Sequence, residues 1–130
     1  MDGYILIVEN ELDIADVMRR YLEFEGFRIV CTATVDEARA ACACELPGLI
    51  LLDWHLPEVE GDQWAAELRA QTHTASIPIV MMTGGYPSAP LLSQLADARI
   101  PLLIKPFSLD MLVAHIRGLG VHERAIGAAA

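Results

Sequence analysis

Lysine is almost absent from this 130-residue chain: of nine basic residues eight are arginine, set against 18 acidic ones for a formal charge of −9. That deficit excludes, for this chain alone, the phosphate neutralisation on which DNA and RNA binding depends. Long apolar runs are missing too. None approaches the roughly 18 residues of a membrane span. The start, MDGYILIVENE, meets acids before a signal-peptide core could form, so no membrane association is expected. Cysteine is scarce and odd in number. Cys31, Cys42 and Cys44 match no disulfide framework, which fits a reducing, cytoplasmic setting. Residues two apart on a helix point nearly opposite ways, so Cys42 and Cys44 read as packed thiols rather than half a metal site. Aromatics make up 6% of the chain against 54% hydrophobic residues, enough for one core in one domain. Any role that needs a compact ammonium rather than a planar guanidinium falls to Lys105.

What the chain does have is alternation. Short, unbroken apolar runs at residues 4–8, 28–31 (the weakest), 49–52, 77–82 and 101–104 read as strands buried on both faces. Between them lie helical segments at 12–24, with Ile14, Val17, Met18, Tyr21 and Leu22 on one stripe, and at 35–44, rich in alanine. Further helices are expected at 61–70 around Trp64, Ala65 and Leu68, at 91–98, and at 109–119 around Met111, Leu112, His115 and Ile116. Gly26 is a stop signal, while Ser108 and Asp110 are start signals. Five strands alternating with five helices imply an α/β, doubly wound parallel sheet with right-handed crossovers.

In such sheets the chemistry collects at the carboxyl ends of the strands. After the first strand come Glu9, Asn10 and Glu11; after the third, Asp53; after the fourth, Thr83 with Gly84 and Gly85; after the fifth, Lys105 with Pro106 and Phe107. Four strands thus deliver carboxylates, an amide, a hydroxyl and the lone lysine to one rim. Oxygen ligands of this kind suit a hard cation such as Mg²⁺. Lys105 and Thr83 could then hold the oxygens of a transferring phosphoryl group, with Asp53 as the nucleophile that becomes an aspartyl phosphate. A capping role for Glu9, Asn10 and Glu11 is compatible with this, but like charges at one strand tip favour a cation.

These pieces resemble the receiver domain of response regulators, the phospho-acceptor module of two-component signalling. The matching segments are ILIVENE, LILLDWHLPEVEG around Asp53, IVMMTGG around Thr83 and LLIKPF around Lys105, in one order and one strand context across residues 3–119. The resemblance implies a flavodoxin-like five-stranded sheet of order 2-1-3-4-5. It implies Asp53 as acceptor, and Glu9, Asn10, Asp53 and the backbone carbonyl of His55 as the Mg²⁺ pocket. Thr83 and Lys105 would be the switch residues. It also implies a histidine kinase or phosphotransfer protein as donor, a surface that switches partners, and a possible homodimer through the fourth helix, fifth strand and fifth helix. Such a module catalyses only its own phosphorylation and dephosphorylation and is not an enzyme in the metabolic sense.

Three positions depart from the family pattern or stand out within it. Asn10 stands where an acid usually touches the metal, so weaker Mg²⁺ binding is expected, unless Glu9 or Glu11 reaches in. Leu102 replaces a frequent aromatic that couples Thr83 to the output face. His55 lies two positions after the acceptor, near the path of attacking water, and is expected either to tune the lifetime of the phosphate or to be an ordinary loop histidine. The competing reading is a pseudo-receiver, an interaction module that works without phosphorylation. A flavodoxin-type phosphate loop is disfavoured because Glu9 and Glu11 would repel a phosphate, and no Gly-x-Gly-x-x-Gly or Walker signature occurs. The first strand follows closely on Met1, so a natural amino terminus is expected; residues 120–130 are expected to be a tail or the stub of a linker to an unknown effector.

Overall fold

The computed structural model describes residues 3–85 and 87–118. Elements alternate along the chain as β1 (Ile5–Val8), α1 (Leu12–Phe24), β2 (Ile29–Thr32), α2 (Val35–Cys44), β3 (Leu49–Asp53), α3 (Gly61–Ala70), β4 (Ile79–Thr83), α4 (Ala89–Asp97), β5 (Leu102–Ile104) and α5 (Leu109–Gly118). All strand pairs are parallel, and the sheet runs β2-β1-β3-β4-β5. The order expected from the resemblance is the one observed.

Strand alternation divides the core in two. Tyr4, Leu6, Val8, Ile50 and Leu52 point with Trp64 and Leu68 into one layer, while Ile5, Ile7, Leu49 and Leu51 meet Met18, Leu22, Leu112 and Ile116 in the other. The central strands β1, β3 and β4 are buried along their whole length, as continuous apolar runs require. β2 is an edge strand with exposed positions, which explains its weak apolar signal.

Local chemistry sets the helix ends. Gly26 takes φ 99°, a left-handed conformation that terminates α1. Thr34 accepts from the Glu37 amide at 3.1 Å, while the Glu37 carboxylate accepts from the Ala33 amide at 2.8 Å, a reciprocal cap on α2. Ser108 accepts from the Met111 amide at 3.0 Å and starts α5 as expected.

Several expected boundaries shift. β2 begins one residue later, at Ile29, and ends at Thr32, and β3 extends to include Asp53 itself. β4 begins at Ile79 rather than 77, because the Ile77 amide is drawn into a turn with the Thr74 carbonyl at 3.1 Å and Pro78 has no amide to give. β5 likewise begins after Pro101. α4 begins at Ala89, since Ser88 caps it and Pro90 falls in its first turn, where a missing amide costs nothing. Two stripe assignments fail: Val17 is 55% exposed and Met111 60%, and Ala15 and Val113 are buried instead. Residue 119 and the expected tail at 120–130 lie outside the described residues.

Candidate functional site

Four strand tips bring their polar residues together. Glu9 follows β1 with its amide bonded to the Thr32 carbonyl at 3.0 Å, which carries the extended backbone one step past the strand. Its carboxyl is fully buried. Asp53 ends β3 and is 4% exposed, and Thr83 ends β4 at 3%. Lys105 follows β5, its amide tied to the Thr83 carbonyl at 2.6 Å, and its side chain is 19% exposed.

Lys105 Nζ joins the carboxylates. It donates to Glu9 Oε1 at 2.6 Å and reaches Asp53 Oδ1 at 3.5 Å, across 96 and 52 residues of sequence. Two acids and one ammonium leave the centre with one surplus negative charge. Burial pushes the Glu9 pKa up, and the adjoining Asp53 carboxyl pushes it further, against the pull of Lys105. For Lys105, burial works to lower the pKa, but Glu9 and Asp53 outweigh it and hold the ammonium above its usual range. Glu9 Oε2 is buried and has no hydrogen-bond partner among the described residues.

The acceptor segment is held from behind. The Trp54 amide bonds to the Met82 carbonyl at 2.8 Å, and the Trp54 carbonyl accepts from the Gly61 amide at 2.7 Å. A Cβ on Gly61 would sit 2.4 Å from the Asp53 carbonyl oxygen, so only glycine lets α3 approach this closely. That close approach was not legible in the motif, although the glycine was.

At the rim, Thr83 Oγ1 accepts from the Gly85 amide at 3.2 Å, which leaves its own O–H free to donate. Asn10 and Glu11 are exposed. The His55 side chain is 68% exposed, with Nδ1 3.5 Å from the Glu60 carboxylate and its ring stacked on Trp54 at 6.3 Å between centroids. The structure thus gathers Glu9, Asp53, Thr83 and Lys105 at one edge, with Asn10 and His55 on its solvent side. Leu102 stands apart, half-buried in the wall of a groove of about 450 Å³ with Leu92, Leu95 and Ile100.

The profile of the response regulator receiver domain matches residues 5–117. The chain belongs to the response regulator receiver family. Among curated proteins, this receiver domain is 33% identical over 115 residues to the phosphate regulon transcriptional regulatory protein PhoB of Rhizobium meliloti, covering 88% of this chain and 51% of that protein. It is 35% identical over the same length to PhoB of Escherichia coli, covering 88% and 50%. The receiver domain therefore spans about half the length of the curated relatives it matches. Among solved structures, a CheY-like receiver domain protein from Methanospirillum hungatei superimposes with a TM-score of 0.81 at 28% identity, covering 92% of this chain and 94% of that one. A response regulator from Chloroflexus aurantiacus gives 0.81 at 27% identity, with 92% and 98% coverage. Receiver domains are the signalling phosphoacceptors of two-component systems, generally phosphorylated by histidine kinases and not classed as enzymes. Among the described residues, no helix is long and apolar enough to cross a membrane.

Proposed function

We propose that this receiver domain accepts a phosphoryl group on Asp53 from a phosphohistidine, in the presence of Mg²⁺, and switches a partner-binding surface in response. The observation that carries the reading is the convergence of Lys105 on both buried carboxylates, Glu9 at 2.6 Å and Asp53 at 3.5 Å. A buried carboxylate beside an ammonium, at the mouth of a sheet, is a nucleophile with a charge stabiliser already in place.

In the transfer an Asp53 carboxylate oxygen forms an O–P bond as the donor's P–N bond breaks, and the imidazole nitrogen leaves with its electron pair. Lys105 faces the phosphoryl oxygens as a fixed positive charge. Thr83 donates its free O–H to another oxygen, its hydroxyl oriented by the Gly85 amide. The donor set fits a hard cation: two carboxylates, the Asn10 amide oxygen and the His55 backbone carbonyl are all oxygen ligands, and Glu9 Oε2 is a buried anion lacking a partner. When bound, Mg²⁺ supplies positive charge against the phosphoryl oxygens.

A groove of about 680 Å³ between α1 and the loop after β5 supports a donor protein approaching from that side. It is lined by Ile14, Val17, Met18, Phe107 and Leu109 and reaches Lys105. The face of α4, β5 and α5 is the corresponding surface for output or a homodimer, with Leu102 in place of an aromatic. The domain as read spans residues 1–119, and a cytoplasmic setting accords with a phosphohistidine donor.

A pseudo-receiver that works without phosphorylation is the second reading, favoured by Asn10 and Leu102. Incubation with acetyl phosphate and Mg²⁺, followed by intact mass, separates the two. The phosphoacceptor reading expects one added phosphate on the wild-type chain and none on Asp53→Asn; no Asp53-dependent gain would leave the pseudo-receiver.

A further inference from the structure

The sheet ends at β5, and between that strand and α4 runs the groove of about 450 Å³ lined by Leu92, Leu95, Ile100 and Leu102. Leu92 is 46% exposed in it. Arg99 lines the same groove just before β5, with φ 59°, a left-handed conformation that crowds a Cβ and that glycine would adopt freely. A cation is kept there all the same. Arg99 forms no ion pair among the described residues, and it lies close enough to Arg69 to lower that guanidinium's pKa. Arg69 gives its own hydrogen bonds to carbonyls. In a chain of formal charge −9, this corner holds two guanidiniums, and among the described residues no acid is bonded to either.

The described chain stops at the same edge of the sheet. α5 begins beyond the carboxyl tip of β5 and runs back across the sheet, so Gly118 lies at the amino edge, where Arg99, Ile100 and Pro101 lead into β5. α4 packs on one layer of the core and α5 on the other, so the way from Gly118 to the groove turns round one edge strand. That route is one layer spacing, about 10 Å, plus one strand width, about 5 Å. Residues 119–130 read LGVHERAIGAAA, in which Glu123 is the acid and Ile126 the last large apolar residue. At about 3.3 Å per residue, position 123 comes within reach about 16 Å from Gly118 and position 126 about 26 Å from it. The acid thus arrives at Arg99 first, and the isoleucine follows into the groove.

We infer that residues 119–130 of this same chain cover the groove between α4 and β5, with Glu123 paired to Arg99 at its amino edge and Ile126 set among Leu92, Leu95 and Leu102. Two arguments favour this occupant over a second copy. A segment tethered through Gly118 is present at an effective concentration on the order of millimolar, whereas a second chain brings another strongly acidic surface and has to overcome repulsion. The acid in the segment also meets the one corner where guanidiniums stand without a carboxylate. The consequence is a strap that withholds the α4 and β5 face from a partner for as long as it is seated. It holds whether or not Asp53 is phosphorylated, so its failure and the failure of the phosphoacceptor reading are separate events.

The test uses the full chain with isotope-labelled isoleucine and leucine methyl groups and no phosphodonor. Nuclear Overhauser contacts are expected from the Ile126 methyl groups to those of Leu92, Leu95 or Leu102, and they should persist on dilution. Ile126→Asp should lower the ratio of covered to open groove by about tenfold or more, read from the Leu92 and Leu102 methyl shifts. Glu123→Arg should lower it by about two- to fivefold, and adding Arg99→Glu should restore most of that loss. Unchanged methyl resonances from the central strands verify that each variant is folded. The inference is overturned if Ile126 makes no contact with the groove in the wild-type chain, or if Ile126→Asp leaves the Leu92, Leu95 and Leu102 resonances where they were. Contacts that fade on dilution, or that join differently labelled chains in a mixed sample, overturn it in favour of a second copy. A doubly reversed pair that recovers nothing overturns the assignment of Glu123 to Arg99.

Discussion

The Cα hydrogen of Gly61 faces the Asp53 carbonyl so closely that a Cβ in its place would lie 2.4 Å from that oxygen and 3.0 Å from the Trp54 Cα. Both contacts are backbone, so neither can be relieved by a side-chain rotation. Gly61→Ala must push α3 away from the acceptor segment or bend the segment itself. The expected cost is about 2 kcal/mol, from overpacking at a site that cannot yield. Urea unfolding measures it. Because the displaced backbone carries Asp53, the yield of Asp53 phosphate from acetyl phosphate should fall as well, even under conditions where the variant remains folded.

Lys105 is the chain's only lysine and the only cation within reach of Glu9 Oε1 among the described contacts. Lys105→Met preserves the stem and removes the charge, leaving two neighbouring carboxylates uncompensated. A loss of about 3 kcal/mol in unfolding free energy is expected without divalent cations, the lower end for breaking a buried ion pair. Added Mg²⁺ should recover part of that loss, since it supplies the missing positive charge, and thermal unfolding with and without Mg²⁺ checks both halves.

Asn10→Asp makes the opposite change. A third carboxylate at the rim adds attraction for a cation and repulsion in its absence. Mg²⁺ affinity is expected to rise roughly tenfold, since the number of charged ligands tunes cation sites over decades. The metal-free variant should melt below wild type. Calorimetric titration and thermal unfolding measure the two, and an affinity unchanged from wild type would remove the ground for calling this pocket weakened.

The fold was legible because its central strands are buried on both faces and so carry no polar interruptions: β1, β3 and β4 could hardly be anything else. The site was legible because strand tips must carry polar residues and these carry complementary ones. Hydropathy alone gave no means of seeing that Val17 and Met111, apolar and at helical spacing, face outward. Nor could the linear order show that Glu9 and Asn10 would part company at a strand end, one buried and one exposed. Arg69 was invisible for a related reason: among the described residues its partners are carbonyls and it pairs with no acid.

Its guanidinium donates to three backbone carbonyls, those of Ala98 at 2.8 Å, Ala75 at 3.1 Å and Ile77 at 2.7 Å, tying α3 to the end of α4 and the approach to β4. No charge pattern predicts such a partner set. Arg69→Met keeps most of the packing and leaves those carbonyls to find other donors. The expected destabilisation is about 2 kcal/mol, measured by urea unfolding. Because the bonds run to main chain, adding salt should change the deficit little, which separates it from a surface ion pair.

Tyr4 gives a stability difference that changes sign with pH. Its hydroxyl donates to the Glu45 carbonyl at 2.8 Å. Burial, helped by the nearby Cys42 and Glu45, pushes its pKa from 10.0 up to about 12. The native state therefore holds the phenol proton more tightly than the unfolded chain does. That preference contributes its full stability below pH 10 and is lost as pH rises through about 12. At pH 7 Tyr4→Phe loses the hydrogen bond and should be less stable by about 1 kcal/mol. At pH 12 the wild-type chain has given up on the order of 2 kcal/mol, allowing for the hydroxyl's partial contact with solvent, and the phenylalanine variant has given up none of it. The two urea-unfolding curves should therefore cross between pH 10 and 12. Parallel curves over that range would mean that the Tyr4 hydroxyl is far better solvated than its burial implies.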